Sequence, residues 1–298
     1  MAVAAPGRTF HAPATLDDAL RLLAELGTRA GVVAGGTDLV VAARGGRKPL
    51  PEAIVAIDRL PGLAKIEPAG DGSLRAGALV SHADLEHSNV IRERWTALSD
   101  ASALVGSPAT RHVGTLGGNL CNASPAMETG SPLLVFDASV ELRSPGGART
   151  LPVAEFITGP GQSALAPGEL LVAVVVPPPP AGRVGSSYLR LEYRAAMEIA
   201  VVGAAALVAI DDDGRCTEAR IAITAVARTV LRVETAERII RGHAPTAEII
   251  AAAAAAAGDA ARPIDDVRAS ARYRSAMVPV LVRRAIEAAL VRAGAVGA

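Results

Sequence analysis

From Thr15 to Gly27 the chain reads TLDDALRLLAELG, and its apolar positions Leu16, Leu20 and Leu23 recur at helical spacing. Thr15 can cap the first turn, Asp18 stands three residues on, and Gly27 follows the last apolar position, so both helix ends are marked. The short apolar run Gly31–Ala34 then predicts a buried strand that halts at Gly35-Gly36. Glu52–Asp58, EAIVAID, predicts a second strand behind a Pro-rich connector. The opening stretch is therefore a small α/β unit with a glycine turn at a strand end.

The pattern changes from Leu60 onward. SLRAGALV predicts a strand, and SHADLEHSNVIRERWTALSDASALVG predicts helical segments. ASVELRSPGGARTLPVAEF predicts two strands joined by a Ser-Pro-Gly-Gly turn. The run Pro177–Pro180 can continue neither helix nor strand and marks a boundary. Beyond it, AVVGAAALVAI and CTEARIAITAVA flank Asp211-Asp212-Asp213-Gly214, a hairpin signal. Two helical segments follow, Thr246–Ala257 and Tyr273–Ala293, the second bent or started by Pro279. The expected division is 1–58, 59–177 and 181–298.

Composition removes several function classes. Thirty basic residues balance thirty acidic ones across 298 positions, with no long basic run, which argues against nucleic-acid binding. Cys121 and Cys216 lie far apart and form no CxxC or Cys/His cluster, which argues against zinc or iron–sulfur ligation by this chain. Such sparse cysteine usage suits a reducing cytoplasm. The start MAVAAPGRTFHAP lacks leader character, and LLVAVVV and IAVVGAAALVAI fall short of the roughly 18 apolar residues of a membrane span. His11, His82, His87, His112 and His243 are scattered and are read as surface or capping residues. Cys121 is read as packing, Asp211–Asp213 as a solvated turn and the alanine run 251–257 as helix filler.

Two glycine pairs remain, Gly35-Gly36-Thr37 and Gly117-Gly118-Asn119. Consecutive backbone N–H groups in a tight turn make an anion-binding concavity, and glycine lets the anion reach them. Thr37, Thr115 and Asn119 add side-chain donors. Two such turns on different units suit the two phosphates of a dinucleotide in the seam between them, while a single Gly-Gly turn is often simple punctuation. Neither GxGxxG nor GxxxxGK[ST] is present, so the Rossmann and P-loop readings lack support.

AGGTDL, followed by TLGGNLCNASPAMETGSPLLVFDASVEL, resembles the FAD-binding medium subunit of molybdenum hydroxylases, the xanthine dehydrogenase and aerobic carbon monoxide dehydrogenase family. FHAPATLDDALRLLAELG, GALVSHADLE, YLRLEYRAAMEIAVVGAAALV and DDVRASARYRSAMVPVLVRRAIEAAL extend the resemblance over nearly the whole chain. It implies an α+β architecture: the two-subdomain FAD-binding fold of the vanillyl-alcohol oxidase type plus a C-terminal α+β domain.

Carried over by motif, the resemblance places the FAD pyrophosphate and ribityl chain at Val32, Val33, Ala34, Gly35, Gly36, Thr37, Asp38 and Leu39, and at Thr115, Leu116, Gly117, Gly118 and Asn119. The family Asp after NASP falls on Glu128, one methylene longer. Leu171 or Val172 packs against the flavin, and Arg190 faces its pyrimidine edge. Val105 stands where animal members stack an aromatic; Tyr193 either covers the ring or is an ordinary half-buried tyrosine. No residue is assigned a catalytic role, since the redox chemistry belongs to the cofactor.

The implied function is electron transfer. [2Fe–2S] clusters on a small partner subunit pass electrons, drawn from a molybdopterin centre on a large one, through FAD to NAD, a quinone or oxygen. The rivals are a self-sufficient FAD-dependent oxidase of the vanillyl-alcohol oxidase type, for which no acid/base pair is identifiable, and a non-catalytic nucleotide-binding protein.

Overall fold

The first sheet combines β1 (Thr9–His11), β2 (Ala30–Val33) and β3 (Ala53–Ala56), all parallel in the order β1-β3-β2. Parallel strands need crossovers, and α1 (Leu16–Leu26) and α2 (Thr37–Arg44) supply helices for them. α1 begins where the Thr15 hydroxyl accepts the Asp18 N–H at 3.1 Å and ends at Gly27, whose φ of 55° is left-handed. Ala19, Leu20 and Leu23 of this helix pack with Val55 and Ile57, and with Leu63, Leu79, Leu170 and Val172 from the next unit. These positions come from the computed structural model of the chain, which describes residues 7–46 and 49–295. The first six residues of the opening stretch, read above as lacking a leader, lie outside the described residues.

β4 (Ile66–Pro68) and β5 (Leu74–Gly77) open a second sheet. Short helices intervene: α3 (His82–His87), α4 (Asn89–Arg94), α5 (Thr96–Ala103), α6 (Pro108–Arg111), α7 (Leu116–Asn122) and α8 (Gly130–Val135). The hairpin of β6 (Ser139–Ser144) and β7 (Gly147–Pro152) turns where the sequence placed it. After α9 (Val153–Phe156) and the small ladder of β8 (Ile157–Gly159) with β9 (Gln162–Ser163), β10 (Leu170–Val176) returns to the centre, giving the order β4-β5-β10-β6-β7.

β10 is apolar throughout because both its faces are covered. Leu170 and Val172 join the core around α1, while Leu171, Val174 and Val176 join the main core with Trp95, Leu98 and Phe136. The change of parity along the strand follows from a register shift between Leu171 and Ala173, where an extra residue bends the chain.

The third sheet is antiparallel, in the order β11 (Arg183–Leu191), β12 (Val202–Ile210), β13 (Cys216–Thr224) and β14 (Leu231–Arg232). The β12–β13 hairpin turns at Gly214, φ 78°, with the Asp211 carboxylate accepting the Arg215 N–H at 2.7 Å. α10 (Glu234–Ile240), α11 (Ala247–Ala260) and α12 (Ala271–Arg292) follow. Every β12 residue is buried: Ala204, Ala206 and Val208 pack with Ala253 and Ala257 of α11 and Val282 and Ile286 of α12, and Ala205 and Leu207 face the main core. The alanine run is thus a packing face. α12 starts at Ala271 under a Ser270 cap and passes through Pro279, so Pro279 does not begin it. Among the described residues no helix is long and apolar enough to cross a membrane, and no group of three or more His, Cys, Asp or Glu could hold a metal ion.

Candidate functional site

What approaches Gly35 is the chain itself. A Cβ built on Gly35 would lie 1.8 Å from the carbonyl oxygen of Val113, so only glycine lets residues 110–114 cross the end of β2. Gly36 then takes φ 70° and serves as N-cap of α2, turning the chain from strand into helix. The segment after the crossing lies along residues 78–82: the Leu116 N–H donates to Val80 O and the Gly117 N–H to Ala78 O, both at 2.9 Å, and the His82 N–H donates to Gly114 O at 3.0 Å. The two glycine-rich stretches, far apart in sequence, therefore meet at one place.

Between them lies a cleft of about 280 Å³. Its walls include the whole run Val32 to Leu39 together with Val105, Thr115, Gly117, Gly118, Asn119 and Leu171. The first turn of α2 lines it, and a helix start carries partial positive charge that favours an anion. Thr37, Thr110 and Thr115 add hydroxyls, while Val33, Val105, Ile57, Leu165 and Leu171 supply aliphatic walls.

The second glycine pair corrects the sequence expectation. Gly117-Gly118-Asn119 is no open turn but the first turn of α7, capped by Thr115. Its N–H groups are committed: Gly117 to Ala78 O at 2.9 Å, Gly118 to Thr115 Oγ1 at 3.1 Å and Asn119 to Thr115 O at 2.9 Å. Gly117 is small because a Cβ there would stand 2.7 Å from Ala78. What this side offers a ligand is side chain: Asn119 Oδ1 accepts from the Thr129 hydroxyl at 2.6 Å, leaving the amide NH2 as donor.

His82 also lines the cleft, which corrects its reading as a surface or capping residue. Ser81 and Asp84 form a capping box that fixes His82 as the first residue of α3, and its side chain is buried at 2% exposure. Burial, aided by the charge of Arg111, pushes its pKa down to about 4, so the ring is neutral at pH 7. The S-x-x-D spacing after an apolar run was the available signal. Cys121 lines the cleft with its thiol pushed up to about 12 by burial, which makes it an inert packing group. Glu169, at the same wall, is held by Arg149 at 2.7 Å, which lowers its pKa.

Five predicted residues lie elsewhere. Leu116 is fully buried in the main core and Val172 in the core around α1, while Leu170 and Leu171, just before the register shift in β10, line the cleft. Arg190 and Glu128 form a buried pair at 2.5 Å, and Arg190 also binds the Glu192 carboxylate and donates to Leu104 O at 2.8 Å. The Arg190 guanidinium is thus tied to the backbone at Leu104 and is not among the cleft-lining residues. Burial pushes the Glu128 carboxyl up to about 7, partly opposed by Arg190. Tyr193 is 66% exposed, and its hydroxyl donates to Arg268 O at 2.6 Å, away from the cleft walls.

Residues 6–179 match the family model described as FAD binding domain in molybdopterin dehydrogenase, and residues 187–289 match that described as CO dehydrogenase flavoprotein C-terminal domain. The chain is 37% identical to the 6-hydroxypseudooxynicotine dehydrogenase complex subunit alpha of Paenarthrobacter nicotinovorans, over 94% of this chain and 93% of that protein. It is 33% identical to the xanthine dehydrogenase FAD-binding subunit of Escherichia coli O157:H7, over 96% of this chain and 97% of that one. Among solved structures it is similar to a chain of the carbon monoxide dehydrogenase of Hydrogenophaga pseudoflava lacking the Mo-pyranopterin moiety, with TM-score 0.91, 33% identity and coverage of 96% and 98%.

Proposed function

The chain belongs to the family of FAD-binding subunits of molybdopterin dehydrogenases, and from that premise we propose that its cleft holds FAD and passes electrons within a heteromeric molybdenum hydroxylase. The observation that carries this is the crossing of Gly35 by Val113, which brings both glycine-rich stretches onto one cleft.

The residues fit that group. A helix start, three threonine hydroxyls and the Asn119 amide offer donors to a diphosphate and ribityl chain, and aliphatic walls flank room for a flat ring. Val32 to Leu39 with Thr115, Gly117, Gly118 and Asn119 hold the polar middle; Val105 and Leu171 pack beside the ring. Leu116 and Val172 support these walls from the core. Arg190 and Glu128 brace the backbone at Leu104, and Tyr193 covers a surface loop. FAD, when bound, supplies the redox chemistry; the protein positions it and excludes water. The units 1–58 and 59–177 share the cofactor, and 181–298 closes the main core.

The partners in this scheme are a large molybdopterin subunit and a small [2Fe–2S] subunit, with NAD, a quinone or oxygen as acceptor, in the cytoplasm. Full-length similarity to proteins named as subunits favours this over a self-sufficient oxidase. The test is anaerobic substrate addition to the assembled complex: flavin absorption bleaches in the complex and not in the chain alone. Substrate-driven bleaching by the chain alone would overturn the proposal.

A further inference from the structure

His82 is the one cleft-lining side chain among the described residues that is both buried and short of a polar partner. Its Nδ1 is sealed from solvent with no hydrogen bond, in a ring that is 2% exposed. A buried N–H without an acceptor costs more than a bare nitrogen, so the single proton of the neutral ring resides on Nε2. The Cδ2 that adjoins Nε2 lies toward Gly114: a Cβ built there would stand 3.3 Å from Cδ2 and 3.7 Å from Thr37 Oγ1. The ring edge and the first residue of α2 therefore flank the same backbone position, between the two glycine-rich stretches. Nε2 forms no hydrogen bond within the described residues. The ring is held firmly, since the His82 N–H is bonded to Gly114 O and the preceding Ser81 is locked in its capping box. The imidazole borders a cleft whose nearest helix start favours an anion.

We propose that His82 is a cofactor-binding residue, its imidazole Nε2–H donating a hydrogen bond to the diphosphate of the dinucleotide; this rests on the reading that the cleft holds FAD. A neutral imidazole suits the task. It donates to the anion without placing a buried positive charge in the cleft when FAD is absent.

The experiment uses the assembled complex, freed of flavin and titrated with FAD and separately with ADP, which carries the diphosphate without the flavin. His82→Leu removes the donor, and His82→Gln keeps one. His82→Leu is expected to weaken FAD and ADP binding alike by about ten-fold or more, and His82→Gln by about three-fold or less. The flavin-free His82→Leu complex is expected to melt at or above the wild-type temperature, because an unpartnered polar group has been replaced by an apolar one. Unchanged FAD affinity in His82→Leu overturns the assignment. So does a loss confined to FAD and absent for ADP, or equal destabilisation of flavin-free and FAD-loaded forms, which marks a structural role. A wild-type complex that takes up no FAD overturns the reading of the cleft itself.

Discussion

Replacing Glu128 by Gln removes one of two buried groups whose pH responses oppose each other. The Glu128 carboxyl, 7% exposed, rises from 4.5 to about 7 on folding, so its contribution to stability is fully present below pH 4.5 and is lost as pH rises through 7. His82, 2% exposed, falls from 6.5 to about 4, so its contribution is present above pH 6.5 and is lost as pH falls through 4. Each displacement is worth about 3 kcal/mol. Between pH 4.5 and 6.5 the two nearly cancel in the wild-type chain. Gln keeps the shape and an acceptor for Arg190 but does not titrate. Glu128→Gln should therefore gain about 3 kcal/mol of stability relative to wild type between pH 4.5 and 7, with His82 alone setting the local slope. His82→Leu should show the mirror image, an advantage over wild type of about 3 kcal/mol at pH 4 that shrinks away as pH rises to 6.5, where the wild-type ring is neutral in folded and unfolded chain alike. Urea unfolding followed by circular dichroism at half-unit pH steps, compared as variant minus wild type, measures both curves. A Glu128→Gln curve parallel to wild type from pH 4.5 to 7 would refute the placement of Glu128 as a buried carboxyl whose pKa folding raises.

Other substitutions test the packing that makes the cleft. Gly35→Ala drives a methyl group toward the Val113 carbonyl, which stands 1.8 Å from the built Cβ, and should cost about 3 kcal/mol in urea unfolding together with most FAD retention. Arg190→Ala strands the Glu128 and Glu192 carboxylates and should cost about 3 to 5 kcal/mol at pH 8, a loss reduced when Glu128→Gln is added in a double-mutant cycle. Tyr193→Ala, at an exposed site, should change stability by about 0.5 kcal/mol or less and leave FAD content unchanged.

Local signals in the sequence carried local structure. Thr15, Asp18 and Gly27 mark α1 because capping and a left-handed C-cap are properties of a few adjacent residues. Asp211–Gly214 marks a hairpin for the same reason. β10 was not legible: LLVAVVV is apolar at every position because Leu170 and Leu171 face different cores, and its partners β5 and β6 are distant in sequence. Glycine at 35 announces a close approach, yet only the fold says that Val113 makes it. Gly117 and Gly118 line the same cleft as Gly35, yet their N–H groups serve the chain and the glycines serve packing. The family motif put Arg190 at the ring edge; here Glu128, one methylene longer than the family Asp, reaches the Arg190 guanidinium at 2.5 Å.

The central claim is that one cleft, made where the two glycine-rich stretches cross, holds FAD. A cryo-electron microscopy map of the assembled complex, at a resolution that shows ligands, tests it most directly. Density for a diphosphate between the start of α2 and Asn119, with a flat ring beside Val105 and Leu171, is the expected result. An empty cleft in a yellow complex, or FAD seated elsewhere on this chain or on a partner, would contradict it.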